Sequence, residues 1–254
     1  MLAKLFKHEI KDLFKKSILF FGIVAGLTVL VYIFDSFKDS NVAIFFASGL
    51  LKIGYGISIV GIIIYSIVYP LIRYHKSMLK DEAYLTHTLP VSKAQLLFVK
   101  VSTALILYFL TLIVILLSFL LTNPSYVKNI INSLHKAVNH SILAFLFIFL
   151  AFSLYYLSII MLVITALTIG YSKSRKKIGN SILTGIVIYF IYQFIGLITL
   201  IIIVFIFSIS FQNIESFTSQ FYALIYTPIV LYLIAVTVEF FITHYFLKNK
   251  LNLE

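Results

Sequence analysis

The chain is expected to be an all-α integral membrane protein with six transmembrane helices, and three observations lead there. Its 254 residues are 61% hydrophobic, with a mean hydropathy of +1.07 and only 11% charged, far from the roughly half-apolar composition of soluble domains. Apolar runs long enough to cross a hydrocarbon core of about 30 Å recur along the whole length, separated by short polar breaks. The 20 lysines and arginines stand beside those runs and are divided unevenly between alternate loops.

Composition also excludes several kinds of protein. Without cysteine there is no disulfide framework, thiolate chemistry or Cys-ligated metal. The net charge of +11 is explained by membrane topology and anionic lipid headgroups, so no nucleic-acid partner is expected. Basic residues precede the first apolar run, but no small-residue cleavage pattern follows it, so the segment is expected to be retained.

In chain order, Leu2, Leu5, Phe6, Ile10, Leu13 and Phe14 fall on one helical face and the lysines of residues 1–16 mostly on another, the pattern of an interfacial amphipathic helix. Span one is Ser17 to Phe34, ended by the polar run Asp35 to Asn41. Span two is Ile53 to Ile72, with Lys52 at its edge; its Gly54, Gly56 and Gly61 either permit close helix packing or reflect the ordinary frequency of glycine in membranes. Span three is Leu96 to Thr122, with Lys100 placed to snorkel. The loop Asn123 to His140 is expected to be partly helical at the outer surface through Ile130, Ile131, Leu134 and Ala137; its His135 and His140 have helically mismatched spacing and no third ligand, so no metal is expected.

Span four, Ser141 to Ile169, ends at Gly170 and a basic cluster around Lys173 to Lys177. The run from Ile178 to Ser210 carries no formal charge and as a straight helix would reach ~50 Å, past the bilayer core, so it either tilts strongly or breaks near Gln193 and Gly196. The last span is Ala223 to Phe246. With six spans both termini share one side. If that side is the cytoplasm, only Lys38, Lys52, Lys128 and Lys136 lie outside, and the remaining basic residues lie inside, as the positive-inside rule requires.

The most informative polar stretch is residues 73–95, which this topology places in the cytoplasm. Leu79, Ala83 and Thr86 to Leu89 recur near helical spacing, Asp81 and Glu82 favour the positive end of a helix, and Pro90 stops it. Ser92 and Gln95 then form a capping box for span three. Any multi-span protein needs such a turn, so a sensor or assembly factor using it only to reverse direction is the competing reading.

The run Asp81-Glu82-Ala83-Tyr84-Leu85-Thr86-His87-Thr88-Leu89-Pro90-Val91 resembles the D-E-x-Y-L-T-x-T-L-P-V signature of permease subunits of ABC-2-type transporters of Gram-positive bacteria. The basic opening Leu5-Phe6-Lys7-His8-Glu9-Ile10-Lys11 is similar to the start of those subunits. The resemblance implies that 1–16 is an elbow helix, that 73–95 contains a coupling helix docking on a separate ABC ATPase that binds ATP and Mg, and that 201–222 is an extracellular re-entrant segment after a span five of Ile178 to Leu200. It implies docking residues Asp81, Glu82, Tyr84, Leu85, Thr86, His87 and Leu89, and a second permease copy or a related permease. The cargo would be amphipathic or hydrophobic, favouring antimicrobial or toxin peptides such as phenol-soluble modulins, exported across the bacterial cell membrane.

The sequence has no G-x-x-x-x-G-K-[ST] loop, no HExxH and no GxSxG elbow. The chain is therefore expected to be no enzyme and to hold no cofactor. Glu239 is the carboxylate set well inside a span, and with Gln193 it is a candidate cavity residue. It could meet a cationic or amphipathic substrate, bond a neighbouring helix, or stay protonated and idle.

Overall fold

In a hydrocarbon solvent each backbone N–H and C=O must find a partner inside its own segment, which leaves the helix as the element a sequence of this composition can form. The computed structural model describes residues 2–38, 41–80, 82–88, 90–137, 141–173, 175–210 and 216–250. Its elements are α1 (Leu2–Ser36), α2 (Val42–Tyr74) continuing into a π-helical turn (His75–Leu79), α3 (Ala83–Thr88), α4 (Lys93–Thr122), α5 (Pro124–Ala137), α6 (Ser141–Tyr171), α7 (Lys177–Ser210) and α8 (Ser216–Asn249). No strand occurs among the described residues. Six helices, α1, α2, α4, α6, α7 and α8, are long and apolar enough to cross a membrane.

The chain divides into two units. The first comprises residues 1–70 and 102–133, and polar side chains tie its helices at intervals. Asp12 on α1 accepts from Lys16 (3.1 Å) and from the Tyr69 hydroxyl on α2 (3.2 Å). One turn on, Ser17 and Tyr65 share a hydrogen bond of 3.2 Å while Phe20 stacks on the Tyr65 ring at 4.2 Å. Nearer the other end, Tyr55 bonds Ser118 of α4 at 2.8 Å, and Lys52 pairs with Asp35 at 2.6 Å.

The second unit comprises residues 71–101 and 134–254. Its centre is α6, which packs along both α7 and α8, whereas α7 and α8 meet each other sparsely. Ile160, Met161, Ile164 and Thr165 of α6 are fully buried. Thr165 shares a hydrogen bond of 2.8 Å with Thr243 of α8. Gly170 is the one place where the backbones of α6 and α7 come so close that a Cβ would strike the Ser181 backbone.

Three expectations change, and the open choice over the α2 glycines is decided. The elbow of 1–16 is no separate element: α1 is unbroken from Leu2 to Ser36, since neither glycine nor proline separates the amphipathic half from the apolar half, and Leu13 and Ser17 are buried. Span two begins at Val42, well before Ile53, because Asn41 caps the helix by accepting from the Ala43 N–H at 3.1 Å and Asp35 offsets the charge of Lys52. Gly54, Gly56 and Gly61 have nothing within 4 Å of where a Cβ would stand, so the close approach belongs to Gly170 instead.

Finally, α7 passes through Gln193 and Gly196 without interruption to Ser210. A glycine inside a helix costs only about 1 kcal/mol, less than freeing backbone groups in hydrocarbon. The two arms of the hairpin expected over 201–222 are helical continuations of α7 and α8, and residues 211–215, where its turn would fall, lie outside the described residues.

Gly170→Ala is expected to force α6 and α7 apart and cost about 1 to 3 kcal/mol, as overpacking does, whereas Gly61→Ala should be neutral or slightly stabilising. Thermal unfolding of the two purified variants in detergent checks this; equal melting temperatures would contradict the packing at Gly170.

Candidate functional site

The stretch from Arg73 to Gln95 lies wholly within the second unit, and its fixation begins where α2 ends. Pro70 lacks an amide hydrogen inside α2, and five residues later the helix widens into the π-turn His75–Leu79. At that widening two aromatic contacts anchor the chain to α6. The Tyr74 hydroxyl, fully buried, shares a 2.6 Å hydrogen bond with Thr168, and His75 Nε2 is 2.6 Å from the Tyr171 hydroxyl. Ser77, Met78 and Leu79 are buried behind them.

Reversal follows within a few residues. The Glu82 N–H donates to the Lys76 carbonyl (3.1 Å) and the Ala83 N–H to the Lys80 carbonyl (2.9 Å), which folds α3 back on the π-turn. Ala83, 2% exposed, faces inward. Glu82 stands just ahead of the first helical turn, and both its carboxylate oxygens accept from Arg73 Nη1, at 3.1 and 3.2 Å. Being partly exposed, that pair contributes about 0.2 to 1 kcal/mol and serves chiefly to set register.

The far end of α3 is closed by His87. Its Nε2 lies 3.0 Å from the Met78 carbonyl, and Lys93 Nζ approaches both His87 Nδ1 (2.6 Å) and the His87 carbonyl (3.2 Å). An ammonium has only donors. Nδ1 must therefore accept, leaving the imidazole neutral with its proton on Nε2, directed at Met78. Burial, opposed in part by the Met78 bond and helped by the Lys93 charge, holds the His87 pKa below its ordinary value. The capping box is formed in full: the Gln95 N–H donates to Ser92 Oγ (3.2 Å) and the Ser92 N–H to Gln95 Oε1 (3.0 Å).

With its ends fixed, α3 turns Tyr84 (73% exposed) and Leu85 (70% exposed) outward. The hydroxyls of Thr86 and Thr88 bond back to the carbonyls of Glu82 and Leu85 at 2.9 Å and so shape the helix from within. Asp81 and Leu89, the other two expected docking residues, lie outside the described residues. Arg73, Tyr74, His75, Lys93, Thr168 and Tyr171 were not among the expected site residues. Only Lys93 carries a local hint, six positions after His87; the pairs His75–Tyr171 and Tyr74–Thr168 join residues so far apart in sequence that no spacing reveals them.

The second candidate place is Glu239 on α8. It is 4% exposed, and neither carboxylate oxygen has a hydrogen-bond partner. The Tyr192 hydroxyl of α7 is close enough to act on it electrostatically, and it too is buried without a hydrogen-bond partner. A charged side chain at the centre of a spanning helix costs about 2.5 to 3.5 kcal/mol on insertion scales. Gln193, next to Tyr192 but exposed, donates to the Tyr189 hydroxyl one turn back at 2.8 Å, so the structure gathers Tyr192, not Gln193, with Glu239.

Comparison with family models, with curated proteins and with solved structures gives no match.

Because the folded pKa of His87 is lowered, its contribution is complete above the unfolded histidine value of about 6.5 and is lost as pH falls through the folded value. Hydrogen exchange of residues 76–93, corrected for intrinsic rates, should show protection that is level above about pH 7 and falls as pH drops below about 6.5. His87→Gln, which keeps one donor and one acceptor, should abolish that pH dependence. An unchanged slope in the variant would remove His87 from this role.

Proposed function

We propose that this chain is the transmembrane permease subunit of an ATP-driven ABC-2-type exporter in a bacterial cell membrane, with both termini and residues 73–95 in the cytoplasm. What carries the reading is one observation: a short helix locked at both ends presents two large, exposed, apolar side chains, Tyr84 and Leu85, on an otherwise polar turn. A loop that only reversed the chain would have no use for them. Aromatic and aliphatic anchors of this kind dominate protein interfaces. The signature of residues 81–91 supplies the identity of the partner, an ABC ATPase that binds ATP and Mg.

Work would then pass by linkage. Closure of an ATPase pair moves the docked α3, and the π-turn passes that displacement to α6 through Tyr74–Thr168 and His75–Tyr171, biasing the second unit between conformations of different affinity for cargo. Six spans make half of such an assembly, so a second copy or a related permease completes it. The apolar exterior and short loops suit amphipathic or hydrophobic cargo drawn from the bilayer, with antimicrobial or toxin peptides favoured. The sequence has no phosphate-binding loop of its own, consistent with a transport subunit that is no enzyme and leaves nucleotide chemistry to its partner.

Tyr84→Ala with Leu85→Ala removes both anchors without touching the bonds that fold the segment. Truncating a hot-spot pair typically costs 2 kcal/mol or more, about thirtyfold in affinity. The variant should insert and purify normally, lose co-purifying ATPase, and lose cargo-stimulated ATP hydrolysis. Normal stimulation with the double variant would count against the assignment.

A further inference from the structure

Between α7 and α8 the second unit holds a seam, since both helices rest on α6 but touch each other sparsely. Across that seam Glu239 of α8 faces Tyr192 of α7. Three polar atoms there lack partners: both carboxylate oxygens and the tyrosine hydroxyl. Thr243, one turn along the Glu239 face, is already engaged with Thr165; Thr165 offers Glu239 only a marginal contact of 3.5 Å to its backbone carbonyl. His244 has an unpartnered ring nitrogen too, but five residues on it points well away from the Glu239 face. Among the described residues, no side chain of α6, α7 or α8 satisfies the carboxylate.

A buried carboxylate persists only with a proton or a cation on it. A proton alone would quiet the charge but leave the carboxyl and the tyrosine hydroxyl without the partners they lack. Three unanswered acceptor oxygens in one place suit a group with several donors. A primary ammonium has three N–H donors and no acceptor, matching two carboxylate oxygens and one phenolic oxygen, and the Tyr192 ring adds a face attractive to cations. Farther along the same α8 face, two turns from Glu239, Tyr232 packs against Tyr155 of α6 with ring centroids 5.4 Å apart. That aromatic surface suits an apolar body attached to the cation.

We propose that Glu239 and Tyr192 form a binding site for the primary ammonium head of an amphipathic molecule entering the α7–α8 seam from the bilayer. The proposal narrows the cargo class of the exporter reading but is tested without any ATPase, so the two can fail separately.

Wild-type protein in nanodiscs of phosphatidylcholine, whose net-neutral headgroups do not attract amines, is titrated with radiolabelled dodecylammonium, with dodecanol as the neutral competitor of equal chain length. Saturable binding is expected, displaced by unlabelled dodecylammonium and not by dodecanol. Glu239→Gln, nearly isosteric, should weaken it about tenfold or more, and Tyr192→Phe about threefold to tenfold. Absence of saturable binding to the wild type, equal competition by dodecanol, or undiminished affinity in Glu239→Gln would overturn the proposal. Should Glu239→Gln not yield monodisperse protein, Tyr192→Phe decides, and unchanged affinity there overturns it equally.

Discussion

A hydrogen-bonding group left without a partner in hydrocarbon costs several kilocalories per mole, and this one penalty orders most of the chain. It compels helices wherever the sequence enters the bilayer, and it keeps α7 continuous through a glycine that would loosen a helix in water. It also explains the side chains that tie helices together. Serine and threonine hydroxyls on the spans repeatedly bond a carbonyl three or four residues back, as at Thr28, Thr111 and Ser153. Others pair across helices, as Tyr55 with Ser118 and Thr165 with Thr243 do.

Against that rule two places stand out, for opposite reasons. In the segment 73–95, polar groups are satisfied with unusual completeness: the π-turn carbonyls of Lys76 and Met78 are taken by Glu82 and His87, and the cap of α4 is reciprocal. So many local bonds make a short helix rigid that six residues alone could never stabilise. Rigidity is what a lever requires, and the apolar pair it exposes is what a partner could grip. At Glu239 the accounting fails, with three buried polar atoms unanswered. The saturated segment lies outside the spans and the unsaturated pair within them, which is the division that the proposed coupling and binding roles require.

Much of this was legible in the sequence because the relevant signals are local. Hydropathy located all six spans, and the Ser92–Gln95 spacing announced the cap that forms. Boundaries were harder where a local cue competed with a distant one. Lys52 looked like the edge of a span, but Asp35, on another helix, removes the cost of its charge. Sequence left the glycines of α2 open between packing sites and ordinary membrane glycines; the structure leaves them uncrowded, and the close approach falls at Gly170, which sequence alone presents as a helix end. In the segment 73–95 Glu82 is placed by the sequence to act on the helix dipole, whereas in the structure Arg73 takes it. Tyr192 reads in the sequence as one of six span tyrosines, with Tyr65, Tyr69, Tyr155, Tyr156 and Tyr189, that could line a lateral pathway or anchor at the interface; what sets it apart comes from a residue on the next helix.

The account stands or falls on which face of the membrane carries α3. The chain contains no cysteine, so a single Tyr84→Cys substitution provides a thiol with no background. In right-side-out cells a membrane-impermeant maleimide should leave that thiol unmodified, and in inside-out vesicles it should label fully unless an ATPase subunit shields it. Labelling from outside intact cells would place the lever where no ATPase can reach it, and would contradict the account at its root.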